Sequence, residues 1–221
     1  ESLLSGIGRS VGFISILQYR KRFTLPEGFI KSRVLLHFGA IDQCAAVKLN
    51  GETVGTHAGG YLPFEFDITE ALNDGENEIV IMVTDDMTDK SHPYGKQRFD
   101  RGGMWYTPVS GIWQSVWLEN TPKSYIKSVK MTPNAAEGEV NIEVKTADAE
   151  GMDVLVKASF QGKPMAEVTK HIAWDHISFT LPLSEKHLWD TENPNLYDIE
   201  FTLGEDKVTS YFGLRDIALK K

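Results

Sequence analysis

The sequence predicts an all-β protein made of two consecutive sandwiches: a larger jelly roll over residues 1–121 and an immunoglobulin-like β-sandwich over residues 122–217. Three observations carry that expectation. Apolar and polar residues alternate in one short segment after another, which sends successive side chains to opposite faces of a strand. Turn signals separate these segments, and no stretch sustains a helical period. Near the middle of the 221 residues the pattern changes, as it does where one core ends and another begins.

The elements follow in chain order. Val34, Leu36 and Phe38 share one parity and predict a strand. Asn50-Gly51 separates Val47-Lys48-Leu49 from Glu52-Thr53-Val54. Asn-Gly between alternating residues is the strongest short hairpin cue, because both central positions of a type I′ turn need positive φ. Gly59-Gly60 before Tyr61, and Gly102-Gly103 before Met104-Trp105, read as corners where backbone passes close to bulky neighbours. Asp67, followed by Thr69-Glu70-Ala71-Leu72, predicts a brief helical turn whose free N–H groups the carboxylate caps. Asn73-Asp74-Gly75 then opens a strand on Ile79, Ile81 and Val83.

The run of large apolar residues around Trp113 and Trp117 ends at Thr121-Pro122, and the boundary is placed there. Beyond it, Val140, Ile142 and Val144 form one strand face, Gln161-Gly162-Lys163-Pro164 reads as a turn, and Tyr197, Ile199, Phe201 and Leu203 form a late strand. About seven short strands in a span of roughly 95 residues is the count of an immunoglobulin-like sandwich. Leu196-Tyr197 at the start of the late strand fits either a tyrosine corner, with the phenol capping upstream backbone, or an ordinary core tyrosine.

Composition narrows the function classes. Apolar residues at 41% and charged residues at 24% describe a globular chain able to bury a core. A net charge of -8 argues against nucleic acid, whose phosphates recruit clustered Lys and Arg. No apolar run approaches the roughly 18 residues of a bilayer span, so no membrane partner is expected. Val11 to Leu17 lacks the basic flank and small-residue cleavage site of a secretion signal. The single cysteine, Cys44, excludes an intrachain disulfide and reads as a buried structural thiol. Nothing therefore requires an oxidising compartment, which leans toward the cytoplasm without fixing a location.

Four stretches, taken together, resemble glycoside hydrolase family 2 of the β-galactosidase and β-glucuronidase type. RVLLHFGAIDQCAAVKLNGETVGTHAGGYLPFEFDIT, from Arg33 to Thr69, is similar to the family's jelly-roll signature. GENEIVIMVTDD, from Gly75 to Asp86, resembles its next strand, and GGMWYTPVSGIWQSVWLENTP, from Gly102 to Pro122, the segment that closes the first domain. LWDTENPNLYDIEFTL, from Leu188 to Leu203, with YFGLRDI, from Tyr211 to Ile217, resembles the end of the family's immunoglobulin-like domain and the handover to a catalytic (β/α)8 barrel. The resemblance implies a galactose-binding-like jelly roll, then the immunoglobulin-like domain, in an enzyme that hydrolyses β-glycosidic bonds. β-Galactosidase is the first expectation, with β-glucuronidase and β-mannosidase behind it.

Retaining glycosidases work with two carboxyl groups about 5 to 5.5 Å apart. The resemblance implies that both are glutamates on barrel strands, which lie beyond Ile217, so no catalytic residue is assigned to this chain. Its implied partners are carbohydrate, through the full-length enzyme, and its own barrel; contacts in a homo-oligomer are a further expectation. Asp85, Asp86 and Asp89 read as solvated carboxylates at a strand end. His92, His171, His176 and His187 lack ligand spacing, so no metal and no cofactor is expected. Some relatives carry an Asp before Met-Trp that helps to hold sodium; Gly103 stands there instead.

The loop from Lys90 to Arg101 is polar, aromatic and longer than a simple hairpin, the kind of segment that carries function. In relatives its Gly-Lys-Gln stretch approaches the barrel mouth, which makes Lys96, Gln97 and Arg98 contacts to sugar or to barrel. Trp105 and Tyr106 suit either stacking on a sugar's C–H face or packing under the loop. Two other functions compete: a free-standing carbohydrate-binding module, which needs a groove lined by several exposed aromatics, and a structural adaptor.

Overall fold

A computed structural model describes residues 16–86, 89–98, 100 and 102–218. Arg101 and the part of the Val11–Leu17 stretch before residue 16 lie outside the described residues. The chain divides into two compact units, Glu1–Asn120 and Thr121–Lys221. Both are β-sandwiches of antiparallel sheets, and no α-helix occurs among the described residues.

The first unit holds β1 (Ile16–Thr24), β2 (Arg33–Phe38), β3 (Ile41–Asp42), β4 (Cys44–Leu49), β5 (Glu52–Ala58), β6 (Phe64–Asp67), β7 (Glu76–Thr84), β8 (Gly111–Ile112) and β9 (Val116–Thr121). One sheet runs β1-β7-β4-β5, a second β6-β2-β9, and β3 pairs with β8 in a short ladder. The predicted parities face inward: Val34, Leu36 and Phe38 of β2 pack against Val47 and Leu49 of β4 and Ile79, Ile81 and Val83 of β7. Each such fully buried side chain contributes about 1.5–3 kcal/mol.

The Asn-Gly hairpin forms as expected, with φ of 52° at Asn50 and 90° at Gly51, and Leu49 opposite Glu52. Asn50 also ties the hairpin to β7. Its amide donates to Ala71 O at 2.8 Å and to Asn77 Oδ1 at 2.7 Å, and accepts from the Glu78 N–H at 2.9 Å. Asn77 is buried, and its side chain further accepts from the Asn73 N–H and donates to the carbonyls of Asn73 and Gly75. Thr69–Ala71 forms the expected brief turn, of 3₁₀ type, but its N-cap position is Ile68 and carries no side-chain cap; Asp67, one position further out, accepts from the Thr69 N–H at 3.0 Å. On the outer face of the second sheet, His37 of β2 is held by Glu65 and Glu119 and stacked on Trp117.

The second unit holds β10 (Tyr125–Asn134), β11 (Glu139–Ala147), β12 (Asp153–Phe160), β13 (Lys163–His171), β14 (His176–Pro182), β15 (Tyr197–Leu203) and β16 (Asp206–Phe212). Sheet β10-β11-β14 faces sheet β13-β12-β15-β16 across a core of alternate residues: Val140, Ile142 and Val144 from one, Val154, Val156, Ile199, Phe201 and Leu203 from the other. Constant-type immunoglobulin domains put the fourth strand on the sheet of the first two. Here β13 joins β12 instead, because the turn between them is a tight two-residue one, with φ of 50° at Gln161 and 79° at Gly162. Lys163 and Pro164, expected in the turn, already belong to β13, and the register shifts between Ala158 and Ser159 opposite Pro164.

Tyr197 resolves the two readings of its position in favour of a tyrosine corner. Fully buried at the start of β15, its hydroxyl donates to Glu185 O at 2.8 Å and accepts from the His187 N–H at 2.7 Å. Its ring stacks on Phe212, with centroids 5.1 Å apart.

Candidate functional site

The short β3–β8 ladder sets Asp42 opposite Gly111 at one end of the first sandwich. Asp42 is only 7% exposed, the one buried acid among the described residues. Gln97 reaches it from the long loop: its Nε2 donates to Asp42 Oδ2 at 3.3 Å while its Oε1 accepts from the Val109 N–H at 2.5 Å. The loop is held in place by its own backbone, with the Tyr106 N–H donating to Lys96 O at 2.8 Å and the Arg98 N–H to Tyr106 O at 3.0 Å.

Two aromatic rings close the other side. Trp113 Nε1 donates to Gly60 O at 2.8 Å, and Tyr61 meets the Trp113 ring edge-on at 6.0 Å. Gly60 is required there, since a Cβ would lie 2.3 Å from Asp42 Oδ1. The result is an open cleft of about 290 Å³ lined by Asp42, Tyr61, Gln97, Tyr106, Thr107, Val109 and Trp113. Concave, mainly apolar clefts with a few converging polar groups are the usual form of small-ligand sites.

Electrostatically the cleft is acidic. Burial pushes the Asp42 carboxyl above the ordinary carboxylate range; the Gln97 hydrogen bond opposes this, and the charge of Asp85 adds to it. Asp85 itself does not line the cleft and accepts from Ser110 Oγ at 2.5 Å. Asp89 is held below its usual value, chiefly by hydrogen bonds from Ser91. Cys44 lies half-buried on β4, its thiol pushed up by burial first and then by Asp89, Asp85 and Asp42. Among the described residues no group of three His, Cys, Asp or Glu side chains is arranged to hold a metal ion.

The five residues singled out from sequence do not all converge. Gln97 and Tyr106 line the cleft. Arg98 lies 3.5 Å over the Trp105 ring, so one face of that indole is occupied within the chain. Lys96 is exposed, and neither it nor Arg98 nor Trp105 is part of the cleft wall. Sequence reasoning missed Asp42, Tyr61 and Trp113 as site residues. Their one available signal was the Gly59-Gly60 pair before Tyr61, which marks a close approach without naming what approaches.

Known proteins share this organisation. The family profile described as "Glycosyl hydrolases family 2, sugar binding domain" matches residues 13–122, and that described as "Glycosyl hydrolases family 2" matches residues 124–215. A β-galactosidase of Thermoanaerobacter pseudethanolicus is 31% identical, the match covering 84% of this chain and 25% of the relative. A β-galactosidase of Thermoanaerobacterium thermosulfurigenes is 28% identical over 91% of this chain and 30% of its own length. Among solved structures, the β-glucuronidase of Ruminococcus gnavus in complex with D-glucuronic acid superposes with a TM-score of 0.76 at 22% identity, covering 94% of this chain and 38% of that one. A β-glucuronidase from an uncultured Clostridium sp. gives 0.72 at 26% identity, over 94% and 36%. The chain thus spans about a quarter of the length of the curated relatives it matches. With both family segments matched in order across nearly its whole length, the chain belongs to glycoside hydrolase family 2, as the sugar-binding domain followed by the immunoglobulin-like domain.

Proposed function

We propose that this chain is the non-catalytic front part of a family 2 β-glycosidase, with β-galactosides as the first choice of substrate, and that it shapes and supports the active site of a (β/α)8 barrel. The observation that carries this reading is the match of the chain to only a quarter of relatives named β-galactosidase. Retaining hydrolysis takes two facing carboxyl groups about 5 to 5.5 Å apart. The cleft has Asp42 alone on its wall, with an amide as its hydrogen-bond partner. In this reading Lys96, Arg98 and Trp105 face the barrel, while Gln97 and Tyr106 face substrate.

The test is turnover of 4-nitrophenyl β-galactoside and β-glucuronide by the purified chain, expected to equal the buffer control. Hydrolysis that co-purifies with the chain and is lost on Asp42→Asn substitution would overturn the assignment.

A further inference from the structure

We propose that Asn50 is a self-modifying site: its carboxamide is set to cyclise onto the Gly51 nitrogen and be lost as ammonia, and a hydrogen-bond cage closed by Asn77 holds that reaction back while the β4–β5 hairpin is folded. The only co-reactant is water. The proposal concerns the first unit alone and does not depend on what the parent enzyme hydrolyses.

Asn50-Gly51 is the only Asn-Gly step in the 221 residues. Asparagine amides are thermolabile, and glycine is the most permissive residue to follow one, because no side chain crowds the attacking nitrogen and its backbone turns freely. In the reaction a base takes the Gly51 amide proton, the nitrogen bonds to Asn50 Cγ, and the Cγ–Nδ2 bond breaks as ammonia leaves. Water then opens the cyclic imide at either carbonyl. That leaves aspartate at position 50 or, with the backbone rerouted through the side chain, isoaspartate. Nothing is oxidised or reduced.

The nucleophile is unshielded. Leu49 opposite Glu52 is the ladder pair that closes the turn, so Gly51 stands outside the ladder; it is exposed, and nothing lies within 4 Å of where a Cβ would sit. Restraint therefore falls on the carboxamide. Asn50 Nδ2 donates to Ala71 O at 2.8 Å and to Asn77 Oδ1 at 2.7 Å, and Asn50 Oδ1 accepts from the Glu78 N–H at 2.9 Å. Both amide hydrogens are committed, and the Asn50 main-chain N–H is tied to Glu78 O at 2.8 Å. Closing a ring onto the next nitrogen draws Cγ away from all of these partners. Asn77 is the cage's one side-chain wall, 1% exposed and fixed from behind by the Asn73 N–H and the carbonyls of Asn73 and Gly75.

The product does not fit the cage. A carboxylate has no hydrogen to donate, so at position 50 it would face two acceptors, Ala71 O and Asn77 Oδ1, where the amide had two hydrogen bonds. Turning the Asn77 amide over would relieve one of these contacts and strand the Asn73 N–H. Conversion is one-way, and it loosens the join between the hairpin, the 3₁₀ turn and β7.

The experiment incubates the whole chain in mildly alkaline buffer, folded and in guanidinium chloride, and follows amide-to-acid conversion at each asparagine by peptide mass spectrometry. In guanidinium Asn50 is expected to convert ahead of every other asparagine. In the folded chain its conversion should be on the order of a hundredfold slower, because the hydrogen bonds of the cage must open first. Asn77→Ala should speed the folded-state reaction about tenfold. Val34→Ala, which trims the same core without touching the cage, should leave it within about twofold, since a local opening controls the rate. Asn50→Asp should lower the folding equilibrium constant of the first unit roughly tenfold in urea and leave the second unit unchanged. Equal rates in the folded and unfolded chain overturn the proposal, as does another asparagine converting first in guanidinium. So does an Asn77→Ala rate equal to the parent's, an acceleration by Val34→Ala that matches it, or an Asn50→Asp chain as stable as the parent. Should Asn77→Ala not fold, the folded-to-unfolded ratio of the parent chain decides alone.

Discussion

Replacing Tyr197 by Phe removes a single oxygen from a fully buried ring, and the structure sets what that should cost. The hydroxyl serves two backbone groups at once, the Glu185 carbonyl and the His187 N–H. Stranding one buried partner costs about 1–3 kcal/mol. Glu185 is exposed and its carbonyl can turn to water, whereas His187 is half-buried under the Phe160 ring, stacked at 3.9 Å. One full penalty is therefore expected, about 2 kcal/mol, with the ring's stacking on Phe212 unchanged. For a unit of this size that corresponds to a fall of about 10 °C in Tm. The assay is urea unfolding of the whole chain followed by NMR signals from each unit, so that the loss can be located. The reasoning requires the transition of the second unit to move while that of the first stays put. A loss under about 0.5 kcal/mol would mean that water replaces the phenol and that the corner is not a stabilising bond.

Other consequences are as direct. Asn77→Ala removes the amide that joins the Asn50 hairpin to the Asn73–Gly75 turn, and should cost the first unit about 3 kcal/mol in urea unfolding; a loss below about 1 kcal/mol would refute the network. Asp42 holds its proton in the folded state over a pH range in which the unfolded chain has released it. Its contribution to stability therefore falls as pH rises from the ordinary carboxylate value through its raised one. Asp42→Asn should differ least from the parent chain at the acid end, gain on it progressively through that interval and hold a constant advantage above it, as urea midpoints between about pH 4 and pH 8 would show; a difference independent of pH would contradict the burial argument. Cys44, its thiol raised by burial and three carboxylates, should react with iodoacetamide at neutral pH more slowly than a free thiol, and faster alkylation would refute that environment.

What could be read from the sequence was what depends on neighbours along the chain. The inward parities of β2, β7, β11 and β15 were visible because a two-residue period needs only the segment itself. The Asn50-Gly51 turn and the brief helical turn after Asp67 were visible for the same reason. Gln161 to Pro164 was half right, since turn composition marks where a hairpin reverses but not how soon pairing resumes. The cleft escaped because its parts are far apart: Gln97 reaches Asp42 across 55 positions and Trp113 reaches Gly60 across 53. Asp42 sits in an alternating run where a single acid looks like a solvent-facing residue, and only the β3–β8 ladder turns it inward. Gln97 and Tyr106 were singled out through loop length and resemblance, and Trp105, chosen on the same grounds, lies beneath Arg98.

The placement of Pro164 in β13 has an effect on behaviour at high concentration. β13 is an outer strand of its sheet, and an outer strand offers unpaired N–H and C=O groups to any passing chain. A proline has no N–H to offer, the register shift beside it bends the row, and Lys163, Glu167 and Lys170 hang charge along the same margin. Fibril-like growth from that margin would have to begin on a kinked, charged template, so the second sandwich should stay dispersed where a straight apolar margin would seed aggregates.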